Sequence, residues 1–331
     1  MFAACHLSKI KAVMAEKKKP GRIRLGVSAC LLGQPVRYDG KDKLIPAFKK
    51  RWSRFVTWVP VCPETECGLT VPREKIGLFG PGPAFRLKGL KTGKDVTGQM
   101  VHWTEKKLDE LVRANLSGFI LKSGSPSCGL TSALDYSSGV LVSGLFTSFL
   151  QRRFPDLPLV EEKNLAYSEV RENFLDRIFV YKRWQEFLEK DGSIGGLVSF
   201  HARHKLIIMA HSVRLLSLLG NLVASARNKA AVLAQYQKYL TAAMKKPATG
   251  KTHTNVLQHL AGYFKKVLPQ EERERLAQQI KAYSQGALSR EEILSSLRHY
   301  ARRYRQRYLL QQFYLFPEPE EWPLRFISPG L

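Results

Sequence analysis

Hydrophobic and polar positions follow two rhythms along this chain. Up to about residue 165, short apolar runs bounded by Gly, Pro and Ser alternate with stretches of helical spacing; beyond Tyr167 helical spacing takes over. Ile23 to Val27, Phe55 to Val61, Phe119 to Leu121 and Leu157 to Val160 read as buried strands, and Gly98 to Ala114 and Ser143 to Arg153 as helices between them. Strands alternating with helices form a parallel sheet, whose ligand crevice lies beyond the carboxyl ends of the strands. Residues 72–98, rich in Gly and Pro, are long for a connection and predict a functional lid or a small hairpin. The second half predicts helices over Phe174 to Lys190, Leu197 to Ala226 with an interruption near Gly220, Ala230 to Met244, Thr254 to Val267, Glu271 to Ser284 and Arg290 to Phe313. Pro317 and Pro319 then leave an extended tail. The expected fold is α/β: a parallel-sheet, Rossmann-like N-terminal domain over 21–165, then an all-α helical C-terminal domain over 170–331. A flexible extension, 1–20, precedes both.

Composition adds a partner question. The 331 residues carry a formal charge of +25 and a pI near 10.0, with the excess shared by both halves. Lys and Arg neutralise phosphates, so RNA or DNA is one partner class; a generally basic protein is the other, since no nucleic-acid motif accompanies the charge. Five unevenly spaced cysteines do not make a secreted disulfide framework. Lys9 and Lys11 interrupt the apolar start before a signal peptide's core is complete. No apolar run approaches the roughly 20 residues of a membrane span; Leu206 to Ala224 is broken by His211 and Arg214. A reducing cytoplasm and no membrane are expected.

The candidate chemistry sits at strand ends. Ser28-Ala29-Cys30, Val61-Cys62-Pro63-Glu64 and Ser125-Pro126-Ser127-Cys128-Gly129 each begin where a predicted strand stops, which delivers three thiols to one rim of one sheet. No Cys-x-x-Cys or Cys/His zinc pair is present, and Cys62 and Cys67 are not at zinc spacing. On spacing alone three explanations stay open: buried apolar thiols, one nucleophilic thiol, or an iron–sulfur cluster held at three irons with the fourth open. Glu64 is either an acid–base group beside Cys62 or an acceptor at a helix start. In Arg37-Tyr38-Asp39-Gly40 the Asp-Gly pair signals a turn, while Arg37 and Asp39 are also placed to meet a polar substrate, as is Lys122. Arg73, Arg86 and Lys88 are expected to be solvated. His201, His204 and His211 share a helical face, as metal ligands or as histidines bonded to neighbouring helices. Tyr300, Tyr304 and Tyr308, on a basic helix, read as an apolar stripe.

Five ordered motifs resemble the thiouracil desulfidase family: Ser-Ala-Cys-Leu-Leu-Gly at 28–33, Arg-Tyr-Asp-Gly at 37–40, Cys-Pro-Glu at 62–64, Gly-Leu-x-x-Pro-Arg at 68–73 and Ser-Pro-Ser-Cys-Gly at 125–129. The resemblance implies a [4Fe-4S] cluster on Cys30, Cys62 and Cys128, with Glu64 and Ser125 as acid–base groups. It also implies removal of sulfur from a thiolated pyrimidine, the substrate sulfur binding the open iron. Cys67 stands where the family is expected to have Gly, so it either reaches the fourth iron or points away. Residues 175–320 resemble a second family, of unknown function, through Phe200-His201-x-x-His204-Lys205, Met209-Ala210-His211-Ser212, Leu219-Gly220 and Phe316-Pro317-x-Pro319. The expected partner is a thiolated nucleobase or nucleoside. The alternatives are a protein acting on thiolated bases in tRNA and a structural or regulatory cluster protein.

Overall fold

β-Branched and aliphatic residues at consecutive positions build the central strands. In chain order the strands are Ile23–Ser28 (β1), Val56–Val61 (β2), Ile76–Phe79 (β3), Arg86–Gly89 (β4), Gly118–Leu121 (β5), Ala133–Leu134 (β6), Leu141–Val142 (β7) and Leu159–Glu161 (β8). The computed structural model describes residues 22–80, 85–226, 228–319 and 321–327; the expected extension, with Cys5, lies outside them. Every residue of β1 but Arg24 is buried, as befits a strand with both faces covered. The sheet runs β2-β1-β5-β8 and all its pairs are parallel, with Ser28 opposite Val61 and Leu121 opposite Glu161. The ends of β1, β2 and β5, where the three thiols follow, therefore share one edge. The long connection of 72–98 is the small hairpin: β3 and β4 pair antiparallel, Ile76 with Gly89.

Helices of the first half are Pro46–Lys50 (α1), Pro63–Glu66 (α2), Thr97–Ala114 (α3) and Leu145–Arg153 (α4). On one face of the sheet Leu108, Leu111, Phe146 and Leu150 meet Phe119 and Leu121. On the other, Phe48 and Trp52 join Leu25, Val27 and Ile120. Ser168–Lys190 (α5) completes that second layer with Phe174, Leu175, Ile178 and Phe179. Its later residues Val180, Trp184 and Phe187 belong instead to the helical core, so one helix serves both.

Ile194–His211 (α6), Val213–Ala224 (α7), Lys229–Met244 (α8), Gly250–Gly262 (α9), Gln270–Ser284 (α10), Arg290–Arg303 (α11), Arg307–Leu310 (α12) and Glu321–Phe326 (α13) follow. The break expected near Gly220 falls at Ser212, which is extended and whose hydroxyl accepts the Leu215 N–H at 3.3 Å, a cap. The last long helix stops at Arg303, earlier than expected. Arg305 takes φ 48°, and the Arg305 and Gln306 N–H groups bond Arg302 O (3.2 Å) and Ala301 O (3.0 Å), closing the helix end without glycine. The tail is not extended: α13 folds back, Leu324 enters the sheet-side core, and Trp52 Nε1 donates to Ile327 O at 3.3 Å. Among the described residues no helix is long and apolar enough to cross a membrane.

Candidate active site

Cys30 lies in a short turn directly after β1, Cys62 caps α2 directly after β2, and Cys128 sits in the loop after β5. All three line one cavity of about 370 Å³, together with Arg37, Tyr38, Glu64, Arg73, Lys122 and Ser125. Each thiol is held by its own local structure. Gly33 N–H (3.2 Å) and Lys43 N–H (3.0 Å) bond the Cys30 carbonyl. The Cys62 N–H donates to Glu66 at 2.8 Å, and Glu66 in turn pairs with Lys107 at 2.8 Å. The start of α4 approaches the Cys128 loop so closely that a Cβ on Gly144 would fall 2.5 Å from the Ser127 carbonyl. Leu145 N–H reaches Pro126 O at 2.9 Å, and the Thr147 hydroxyl reaches Cys128 O at 2.8 Å.

Burial pushes the Cys30 thiol up to about 12, and the nearby Cys62 adds to it. Burial likewise raises Cys128 well above the usual thiol range, with Cys62 and Cys30 reinforcing the shift. Burial raises the Cys62 thiol as well. Among the described residues no group of three or more His, Cys, Asp or Glu is arranged to hold a metal ion. The three thiols line one cavity. A cluster spreads its thiolates over separate irons, and an all-sulfur donor set suits iron–sulfur chemistry. Cys67 is not among the lining residues; its thiol donates to Glu64 O at 3.2 Å.

Glu64 is gripped on both oxygens. The Arg73 guanidinium pairs with Oε2, its Nε at 3.2 Å, and the Ser127 hydroxyl donates to Oε1 at 3.1 Å. Arg73 also donates to Val36 O and Thr70 O, both at 3.1 Å. The expectation that Arg73 is solvated is therefore corrected: its side chain is only 7% exposed, because the chain leading into β3 turns back across the sheet rim. Arg86 is exposed as expected, and Lys88 is half-buried. Ser125 lines the cavity while its hydroxyl oxygen accepts the N–H groups of Ser127 (3.2 Å) and Cys128 (3.0 Å). Lys122 lines it too, with its ammonium on Glu162 at 2.6 Å. Asp39 is exposed and outside the lining; it accepts from Arg37 at 3.3 Å and from Lys41 N–H at 3.2 Å, and so closes the turn. Arg37 and Lys75 flank the Tyr38 ring at 5.5 and 5.0 Å. Arg73, Ser127 and the Glu161-Glu162 pair were not singled out by sequence reasoning as site residues. Their signals were membership of two of the motifs and a place at the end of the fourth strand.

The histidines are not among the residues lining this cavity, and each ring has its own partner. His201 bonds the Tyr236 hydroxyl at 3.0 Å. His204 sits between Phe200 O (2.7 Å) and Arg183 Nε (2.9 Å), and His211 between Lys246 O (2.6 Å) and Asp176 (3.3 Å). Tyr300 is buried, and Tyr304 and Tyr308 pack against the helical core.

Comparison with known proteins agrees with the two-part architecture. Residues 25–162 match the 2-thiouracil desulfurase family, and residues 205–319 match DUF1722, a family of unknown function. The uncharacterized protein YbgA of Escherichia coli (strain K12) is 32% identical over 152 residues, covering 45% of this chain and 88% of YbgA. The uncharacterized protein YbbK of Bacillus subtilis (strain 168) is 32% identical over 126 residues, covering 37% of this chain and 78% of YbbK. Among solved structures, the [4Fe-4S]-dependent thiouracil desulfidase TudS is 31% identical over 44% of this chain and 93% of its own, with a TM-score of 0.37. The chain thus belongs, through residues 25–162, to the 2-thiouracil desulfurase family, and joins to it a domain of the DUF1722 family.

Proposed function

We propose that the chain removes sulfur from a thiolated pyrimidine, with a [4Fe-4S] cluster on Cys30, Cys62 and Cys128 and one iron left for substrate. The observation that carries this reading is the opening of three thiols from three parallel strands into one cavity that also holds Glu64. When bound, the cluster supplies a soft, Lewis-acidic iron suited to a thiocarbonyl sulfur. Glu64 orients the attacking water and moves its proton. Arg73 on one oxygen and Ser127 on the other fix the direction its carboxylate faces. The Ser125 hydroxyl hydrogen is free to turn into the cavity, because its oxygen takes up the loop N–H groups; it holds the base or the water. Arg37 lines the same space and offers guanidinium N–H donors to the base's oxygens, while Lys122, its ammonium donating to Ser123 and Glu162, brings positive charge to the lining.

Replacing Cys30, Cys62 or Cys128 by Ala should abolish the visible absorption of anaerobically reconstituted protein, whereas Cys67→Ala should keep it. Glu64→Gln should keep the absorption and lose turnover; retained turnover would remove Glu64 from the scheme. A second reading is favoured by the cations lining the cavity, Arg37, Lys43 and Lys75, of which Arg37 and Lys75 flank Tyr38, and by the overall charge of +25. In it the thiolated base is presented within RNA. Salt-dependent retention of a thiolated tRNA would support this reading, and indifference to tRNA would leave free bases or nucleosides.

A further inference from the structure

Two adjacent carboxylates at the end of β8 are buried, Glu161 at 1% and Glu162 at 6% exposure. Burial of a charge is costly unless hydrogen bonds or an opposite charge meet it. Here the two side chains close on opposite ends of one loop. Glu162 accepts from Lys122 Nζ (2.6 Å), from the Ser123 N–H (2.6 Å) and from the Ser123 hydroxyl (2.9 Å). Glu161 Oε1 accepts from the N–H groups of Leu130 (2.8 Å) and Thr131 (3.2 Å) and from the Ser132 hydroxyl. Lys163 stands 3.9 Å from Glu161 and is 58% exposed, so N–H and O–H donors, more than an ion pair, satisfy that carboxylate. Cys128 lies between the two anchored ends. The loop around it, Ser-Gly-Ser-Pro-Ser, has few side chains large enough to fix it by packing.

We propose that Glu161 and Glu162 are positioning residues that set the Cys128 arm in place before any cluster binds, a proposal that rests on the reading of Cys128 as a cluster ligand. The bonding patterns make the two residues unequal. Glu161 gathers its three donors on one oxygen, which the carbonyl of a glutamine can replace. Glu162 uses both oxygens, and a glutamine there turns an N–H₂ toward Lys122 or Ser123, donor against donor.

Hydrogen–deuterium exchange on the metal-free chain reads the loop, with the β1–β2 segment as internal reference. Release of iron from the reconstituted chain to a chelator reads the consequence for the cluster. Glu162→Gln should speed both exchange over 122–132 and iron release by roughly tenfold, with β1–β2 unchanged. Glu161→Gln should change both by less than about threefold, while Glu161→Ala, which orphans three donors, should behave like Glu162→Gln. Equal behaviour of the two Gln variants, or unchanged exchange in Glu162→Gln, overturns the proposal. If the unmodified chain takes up no cluster, the desulfidase reading falls, and the exchange comparison still decides the clamp.

Discussion

Glu64 shows how much of the site a residue-by-residue reading can reach. Its place two residues past Cys62, at the end of a predicted strand, is enough to suggest acid–base work. What fixes its direction was not legible. Arg73 is nine positions further on, in a Gly- and Pro-rich stretch where an arginine normally faces solvent, and only the return of the chain into β3 buries it on the carboxylate. Ser127 was hidden differently. It stands beside Ser125 and Cys128 in one motif, and only the loop's geometry gives Ser125 to the backbone and Ser127 to Glu64. Breaking a buried ion pair from one side strands the other charge, so Arg73→Ala should lower stability by about 3 kcal/mol. Adding Glu64→Gln should recover part of that loss. Urea midpoints of the two single variants and the double variant decide it; strictly additive losses would show that the residues act independently.

At the scale of elements, the strands and most helices were legible because their apolar spacing matches their burial. β1, β2 and β5 lie within one or two residues of the apolar runs that predict them. The misses have local causes. A glycine inside an apolar run looked like the break between α6 and α7, but Ser212 supplies a capping hydroxyl and wins. Arg305 ends α11 in a left-handed conformation that favours glycine, so no sequence signal marked it. The histidine pattern on α6 was visible, but its meaning depended on partners from other helices. Burial and the neighbouring Arg183 hold His204 well below the usual histidine range. On α9, burial and Arg290 push His253 down to about 3. Both rings stay unprotonated in the fold down to pH values at which the unfolded chain binds protons. Their contribution is therefore complete above about pH 6.5 and is lost as pH falls toward the folded values, at about 1.4 kcal/mol per pH unit for His253. Stability from urea unfolding should fall between pH 7 and pH 5, and His253→Gln should flatten that slope. A slope unchanged by His253→Gln would show that the ring takes its proton within the fold.

Over the whole molecule, the order of an α/β part and a helical part was legible, while their interlocking was not. Nothing in the apolar pattern of α5 shows that its first half packs on the sheet and its second half in the helical core. Nor do Pro317 and Pro319 foretell that α13 returns to place Leu324 beside that sheet. Arg325, at the end of the chain's last described helix, pairs with the buried Asp176 of α5. Leu324→Ala should therefore cost about 2–4 kcal/mol although it lies far along the chain from the sheet. Tryptophan fluorescence and helical circular dichroism should report one shared transition; separate transitions would mean that the two parts unfold independently. The desulfurising reading itself is met most directly by an anaerobic single-turnover assay of the reconstituted chain with 2-thiouracil, counting sulfide and uracil against protein-bound iron. Sulfide and uracil in equal amounts, from the unmodified chain and not from Glu64→Gln, are expected. A chain carrying its full cluster that releases no sulfide from 2-thiouracil, 4-thiouracil or a thiolated tRNA would contradict it.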